Sequence, residues 1–430
     1  MLHAGRASRL RRVYFLSNVQ AVGQKRWSST PPPWRPASVL DDWVVRPIRP
    51  MSLQQLFFFG RTLTESRLLS SANYVRLELP TRLAHRLRDM QRLPYVVVTN
   101  PHLSLVYELY YKSFENFRRV PVVRTPEDND QFCKVISESL KEHLAVIPNL
   151  VMGVLQCQDH VAPDVMDSFV QAMLRARISR RVIAEQHLAL SETYNSPWHV
   201  PQPSSENDFV GEVLLRCNAK EVVERCGRIA QEICGINEGA GSRVPQIKVQ
   251  GHTEATFPYV LSHLEYIVGE LLRNSIQAVM DKYPDPGPPP PPIEVLICEA
   301  AQQVIIRISD RGGGIQRDLL PFLWSFNKGP RSSSRLQNLG RVPELAATIH
   351  EVQKPKAGQR RDSSLSTLAG RPPDLKLGMG LPMSKVYAEY WAGGLELHSL
   401  EGYGVDAFLQ ISKLGNQNEQ LTSRASIDAV

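Results

Sequence analysis

The chain has 430 residues, 42% of them apolar, enough to bury a large core shared between two domains. Its formal charge of +7 lies entirely before Asp41, in Arg6, Arg9, Arg11, Arg12, Lys25, Arg26 and Arg35, and the rest of the chain carries as many basic as acidic residues. No basic excess is left for a nucleic-acid surface, and no run approaches the ~18 consecutive apolar residues of a membrane span.

From the N-terminus, residues 1–28 contain no acid, are rich in Arg and Ser, and set Leu2, Leu10, Val13 and Leu16 among the arginines at helical spacing. That is the composition of a mitochondrial transit peptide, with Arg26-Trp27-Ser28-Ser29 as its processing site. Residues 29–50 hold Pro31, Pro32, Pro33, Pro36, Pro47 and Pro50 and read as an extended linker, so folding should start near Ser52. Helical patterns follow at Leu53–Phe57, Leu77–Met90, Leu103–Phe117, Asp128–Ile147 and Val161–Leu190, with breaks at Pro80, Pro94, Pro101, Pro121 and Pro148. Long helices with short connections predict an antiparallel bundle over residues 51–205, closed by the polar, proline-rich stretch 192–208.

Residues 206–415 mix helices and strands. Ala219–Cys234 reads as a helix, Gln246–Gln250 as a short strand, His263–Lys282 as a long helix, and Ile293–Cys298 and Val304–Ser309 as buried strands. Leu381–Trp391 is helical again, and Leu395–Ser399 should pair with Val405–Ser412 across the Glu401–Gly404 turn. The fold class is therefore α+β, with helices on one face of a mixed sheet. Residues 329–376 interrupt it with a polar loop too long to be a plain connection, and residues 416–430 form a C-terminal tail. The six cysteines show no C-x-x-C pair, so they are expected to be reduced, buried and without metal.

Four motifs carry the chemistry. On the His263–Lys282 helix, Leu264, Ile267, Val268, Leu271, Leu272, Ile276, Val279 and Met280 form one apolar stripe, which leaves Glu270, Arg273, Asn274, Gln277 and Asp281 on the opposite face. Taken alone such a pair as Glu270 and Asn274 is more often a solvated helix face, but one turn apart they also suit phosphoryl transfer. The amide would ligate Mg²⁺ and the carboxylate would act on the attacking oxygen. Asp310, at the end of an apolar strand, precedes Gly312, Gly313 and Gly314; an acid there can accept from an adenine amine while glycines admit the base to the backbone. Gly378-Met379-Gly380-Leu381 opens the next helix, where unpaired N–H groups can hold phosphate oxygens, and Gly402-Tyr403-Gly404 closes the set. Neither a G-x-x-x-x-G-K-[ST] loop nor the signature series of ordinary protein kinases is present.

This set resembles the N, G1, G2 and G3 boxes of the GHKL ATPases, the group of gyrase, heat-shock chaperones and histidine kinases. Leu79-Pro80-x-Arg82-Leu83-Ala84-His85-Arg86, Ile308-Ser-Asp-Arg-Gly-Gly-Gly-Ile315 and Gly380-Leu-Pro-Met-Ser-Lys-Val-Tyr-Ala-Glu-Tyr390 are similar, more narrowly, to the mitochondrial 2-oxo acid dehydrogenase kinases. The resemblance covers most of residues 50–415. It implies an N-terminal four-helix bundle over 51–205 that docks on a lipoyl-bearing core. It also implies a C-terminal GHKL-type α/β sandwich nucleotide-binding domain over 206–415, with residues 329–376 as ATP lid. The expected activity is serine phosphorylation of a decarboxylase α subunit in the mitochondrial matrix, using ATP and Mg²⁺, by a homodimer. By matching position, Glu270 would be the general base, Asn274 the Mg²⁺ ligand, Asp310 the adenine acceptor, and Gly312, Gly314, Gly378, Gly380 and Leu381 the nucleotide walls.

Within that family Arg92-Leu-Pro-Tyr95, Asn100-Pro101, Gly251-His252, Tyr266 in place of a histidine, and the missing Asp-Trp tail point to the branched-chain kinase, with the pyruvate dehydrogenase kinases as the alternative. Several positions depart from the family pattern: Lys376 for the first lid-end glycine, Val405 for a threonine, Asn327 and Lys328 for paired threonines, and Leu323 for the acid of the K⁺ site. A catalytically weak docking protein is the reading from another class, and nucleotide binding separates it from a kinase.

Overall fold

The computed structural model describes residues 37–60, 62–196, 209–237, 243–284, 287–329, 332–342 and 377–421. The expected transit peptide, the first residues of the proline-rich linker, the heart of the expected domain boundary, the greater part of the expected lid including Lys376, and the last nine residues of the tail lie outside them.

Helices come first: α1 (Ala37–Val44), α2 (Leu53–Gly60), α3 (Glu65–Gln91), α4 (Tyr95–Val98), α5 (Pro101–Arg118), α6 (Pro126–Glu142), α7 (Val146–Gln156) and α8 (Pro163–Asn195). The long helices α3, α5, α6 and α8 pack on one another as the helical N-terminal domain. Prolines work here as starters: Pro101, Pro126 and Pro163 each occupy the first helical position, where no N–H is needed. A capping box between Thr125 and Asp128 fixes the start of α6.

Three expectations fail in this half. Pro80 does not break a helix; it lies inside α3, where Leu68, Val75, Leu79, Leu83 and Leu87 are buried against α5 and α8. An interior proline costs about 3 kcal/mol, and each buried leucine contributes about 1.5–3 kcal/mol, so the packing wins. The supposedly extended linker contains α1, because the proline-free stretch from Ala37 to Val44 can bury Leu40 and set Trp43 edge-on to Phe114 at 6.0 Å. The predicted Asp128–Ile147 helix ends at Glu142. A 3₁₀ turn and the separate α7 follow, with every residue from Val146 to Leu155 buried.

The second half is built on two sheets. β1 (Phe209–Val210), β2 (Val213–Asn218) and β4 (Thr256–Val260) form a small antiparallel sheet that the sequence patterns did not foretell. The larger sheet has the order β3 (Ile247–Gly251), β5 (Ile293–Glu299), β6 (Gln303–Ser309), β8 (Gly404–Ser412), β7 (Gly394–Leu400). Only its β3–β5 pair is parallel. Ile293, Val295 and Ile297 alternate with exposed or half-buried residues along β5, as one covered face requires. The covering helices are α9 (Ala219–Asn237), α10 (Leu261–Lys282) and α12 (Gly380–Tyr390); α11 (Ser332–Leu339) packs instead on α7 of the bundle. The α/β C-terminal domain thus follows a helical one, and β7 and β8 pair in the expected register from Leu400↔Gly404.

One further correction concerns the cysteines. Cys157, Cys217, Cys226 and Cys234 are buried, but Cys133 is half-buried and Cys298 exposed, because alternation along β5 turns position 298 away from the helices. In the C-terminal tail, Asn418 bridges to Ser52, and the buried Glu419 side chain bonds to Met51, Arg82 and Tyr390.

Candidate active site

α10 is the element that gathers the motifs. Its apolar stripe is buried as the periodicity requires, and its other residues reach, in order along the helix, each of the glycine segments. Glu270 comes first. Its carboxylate is 12% exposed, pairs with Arg273 at 2.7 Å, and lies so close to Gly380 that a Cβ there would stand 2.1 Å from its Oε2. Asn274, one turn further, is exposed. Ser275 donates its hydroxyl to Asp310 Oδ2 at 3.0 Å. Ala278 packs on Gly312, where a Cβ would come within 2.5 Å of the alanine methyl. Lys282, at the end of the helix, donates to the carbonyls of Gly402 and Tyr403 at 3.0 and 3.3 Å.

The strand-end acid is held on all sides. Asp310 donates its main-chain N–H to Val405 O at 2.9 Å, and its Oδ1 accepts from Gly312 N at 2.9 Å. Burial pushes its carboxyl above the ordinary carboxylate range, and the bonds from Gly312 N–H and the Ser275 hydroxyl only partly oppose that. Each oxygen keeps a lone pair for a further donor. Gly314 has φ +74, and a Cβ there would lie 2.3 Å from Leu400 O, so only glycine lets the loop run along the β7–β8 turn.

Gly378, with φ +64, leads into α12. That helix has Met379 at its cap without a side-chain bond, and Pro382 in its first turn lacks an N–H. The first turn of α12, with Gly380 against the Glu270 carboxylate, therefore starts without a side-chain cap on its amides.

Of the eight residues singled out from the sequence, Glu270 and Asn274 lie on α10, Gly380 and Gly312 pack against it and Asp310 bonds to it through Ser275, whereas Gly314 packs on the β7–β8 turn, Gly378 packs on Arg335 and Leu381 follows Gly380 in α12. Sequence reasoning overlooked Ser275, Ala278 and Lys282. A serine and an alanine beside an apolar stripe pass as filler, and the i, i+4, i+7 spacing from Asn274 to Ala278 and from Ser275 to Lys282 was the available signal. Of the departures, Val405 still gives its carbonyl to Asp310, Asn327 is fully buried, Lys328 is exposed and Leu323 offers no oxygen ligand from its side chain. No cluster of metal-binding side chains occurs among the described residues, and none of their helices is long and apolar enough to cross a membrane.

Similarity to known proteins follows the same pattern. A family model described as mitochondrial branched-chain alpha-ketoacid dehydrogenase kinase matches residues 50–214. Pyruvate dehydrogenase (acetyl-transferring) kinase 2, mitochondrial, of Saccharomyces cerevisiae is 33% identical over 426 residues, covering 89% of this chain and 85% of its own length. The chain belongs to the mitochondrial 2-oxo acid dehydrogenase kinase family. The Arabidopsis thaliana pyruvate dehydrogenase kinase is 31% identical over 90% of this chain and 97% of its own length, and human isozyme 3 is 28% identical over 86% and 84%. This dehydrogenase-kinase family member is accordingly a mitochondrial protein kinase. The special closeness to the branched-chain branch expected from Arg92–Tyr95 and Tyr266 finds no support in these relatives, all named for pyruvate dehydrogenase.

Proposed function

We propose that this kinase transfers phosphate from ATP to a serine of the decarboxylase α subunit of the mitochondrial pyruvate dehydrogenase complex, in the matrix, while its helical domain docks on the lipoyl-bearing core. The observation that carries the reading is the contact of Glu270 with Gly380 on the same helix that binds Asp310 through Ser275. It puts a carboxylate beside uncapped helix-start amides and a buried acid beside a glycine loop. The relatives' names favour the pyruvate complex.

The residues fit a nucleotide and its metal. Asp310 would accept from the adenine amine, Gly312 and Gly314 would let the base lie against the backbone, and the amides of Gly380 and Leu381 would take phosphate oxygens. Asn274, exposed one turn past Glu270, would give its carboxamide oxygen to Mg²⁺, which when bound neutralises phosphate charge. Glu270, held in place by Arg273, would take the proton of the attacking serine hydroxyl. Leu323 offers no such ligand to K⁺, and homodimerisation is carried from the family.

A branched-chain target is the second reading. The description of the matched family model favours it, as does Tyr266, a buried tyrosine packed on Tyr387 at 5.1 Å one turn before Glu270. Incubation with Mg-ATP and both purified complexes decides between them. We expect phosphoserine on the pyruvate dehydrogenase α subunit; labelling of the branched-chain subunit alone would reverse the assignment, and labelling of neither would reject the function.

A further inference from the structure

The hydrogen bonds around Gly378 extend beyond the nucleotide motifs. Arg335 on α11 is 6% exposed. Its Nε donates to Leu377 O at 3.1 Å and its Nη2 to Phe326 O at 3.0 Å. Both acceptor residues are fully buried, and they stand on opposite sides of the 329–376 segment. One planar guanidinium therefore fixes the main chain where that segment leaves the domain and where it returns. A lysine in its place has a single ammonium and cannot reproduce the fork.

The Phe326 peptide is held from its other end as well. Asp167, on the first turns of α8, accepts from Phe326 N at 2.8 Å, from Asn327 N at 3.1 Å and from Ser325 Oγ at 2.6 Å. Bonds from neutral donors to a carboxylate are stronger than neutral ones. Burial pulls the Arg335 guanidinium towards neutrality, and the Asp167 charge opposes that pull. On the returning side, a Cβ on Gly378 would come 2.7 Å from Arg335 Nε, so the glycine lies flat against the guanidinium, and Gly380 two residues on touches Glu270. An apolar side chain could fill the volume of Arg335 without the cost of burying a charge; it could not join two carbonyls from separate segments.

We propose that Arg335 and Asp167 are positioning residues for the nucleotide site: through the Phe326 and Leu377 main chain they hold Gly378–Gly380 against Glu270 and so set the affinity for ATP. This rests on the reading of the glycine motifs as an ATP site. Neither side chain is assigned a contact with nucleotide or acceptor serine.

The test uses the full chain and four variants: Arg335→Met, which keeps bulk but no donor; Arg335→Lys, which keeps one donor group; Asp167→Asn, which keeps an acceptor without the charge; and the double variant Arg335→Met/Asp167→Asn. Affinity for a non-hydrolysable Mg-ATP analogue is read by titration calorimetry, KM for ATP and kcat by kinase assay, and Tm without nucleotide by scanning calorimetry. Arg335→Met should weaken analogue binding and raise KM for ATP about 10-fold or more, with kcat at saturating ATP changed less than about 3-fold. Arg335→Lys should fall between Arg335→Met and the unaltered chain. Asp167→Asn should lose several-fold, and the double variant should lose less than the product of the singles, as members of one chain of contacts do. Unchanged analogue affinity in Asp167→Asn and in every Arg335 variant that retains its Tm would overturn the inference. Failure of the unaltered chain to bind the analogue would overturn the ATP-site reading itself, and the inference with it.

Discussion

Asp310 holds a carboxylate that its surroundings would rather see protonated, because desolvation outweighs the donors Gly312 N–H and Ser275 hydroxyl. The folded state then binds the proton more tightly than the unfolded one, whose ordinary value is 3.8. Stability is reduced by this group above its folded pKa, and the reduction disappears as pH falls through the window between that raised value and 3.8. Asp310→Asn should therefore raise Tm at neutral pH, with the gain shrinking on acidification below the window, while analogue binding drops at least 10-fold. Calorimetry at several pH values checks both. A lowered Tm at neutral pH would show that the acid is structural rather than reserved for a ligand. Glu270→Gln is the complementary case. Removal of the base should reduce kcat by about 10²–10⁴-fold with analogue affinity unchanged, because the group acts on the acceptor hydroxyl. The positions of these two acids were legible in the sequence, one at the end of an apolar strand before glycines and one a turn from an amide on the polar face of a helix. Ser275 was not legible. Its single hydroxyl has meaning only once β6 brings Asp310 alongside α10, a contact across 35 residues of chain.

At the scale of elements the site is α10 laid against the start of α12 and the ends of β6 and β8, with glycines at the points of closest approach. Their substitutions should differ according to what stands in the way. At Gly380 the obstacle is the tip of the Glu270 side chain, 2.1 Å from the added methyl, which can swing aside. Gly380→Ala should cost little Tm and much kcat, since the displaced group is the base. At Gly312 the obstacle is the α10 main chain, with the Ala278 carbonyl carbon 2.8 Å away. Gly312→Ala must shift a loop off a helix and should lower both Tm and nucleotide affinity. Parallel calorimetry and steady-state kinetics on the two variants test the distinction, and equal effects on Tm would refute it. Long amphipathic elements such as α5, α9 and α10 were readable because burying one face imposes a period. α7 was missed because all its residues from 146 to 155 are buried, which leaves no polar face to mark the period. β1, β2 and β4 were missed because short strands in a three-stranded sheet take their definition from partners distant in sequence, as Val213↔Val260 illustrates.

At the scale of the whole molecule the two domains are joined through buried charge, which a reading of local patterns cannot assign. The Glu419 carboxylate accepts from Arg82 on α3 at 2.7 Å, from Met51 N at 3.1 Å and from the Tyr390 hydroxyl on α12, and both ionic side chains are 1% exposed. Arg82 also pairs with Glu78 at 3.3 Å and bonds the Ser179 hydroxyl on α8. Arg175 on α8 pairs with Glu389 on α12 beside them. Burial pulls the Arg82 guanidinium down from its ordinary range, and the Glu419 charge, with Tyr74 and Tyr390, more than offsets that pull. Such a pair adds little net stability when intact but is costly to break, because the survivor is a charge in a dry interior. Glu419→Ala should destabilise the protein by about 3–5 kcal/mol, the usual range for removing one partner of a buried pair. The double variant Arg82→Met/Glu419→Leu should recover part of that loss, since Glu78 retains Arg49 at 2.7 Å. Denaturant titration followed by tryptophan fluorescence measures both. The pair spans the helical and α/β halves, so Glu419→Ala should also divide one cooperative transition into two, with Trp43 in α1 and Trp391 beside α12 reporting separate midpoints. A single transition at the original midpoint would mean that the halves are held together by apolar packing alone, and that the C-terminal segment is merely carried along.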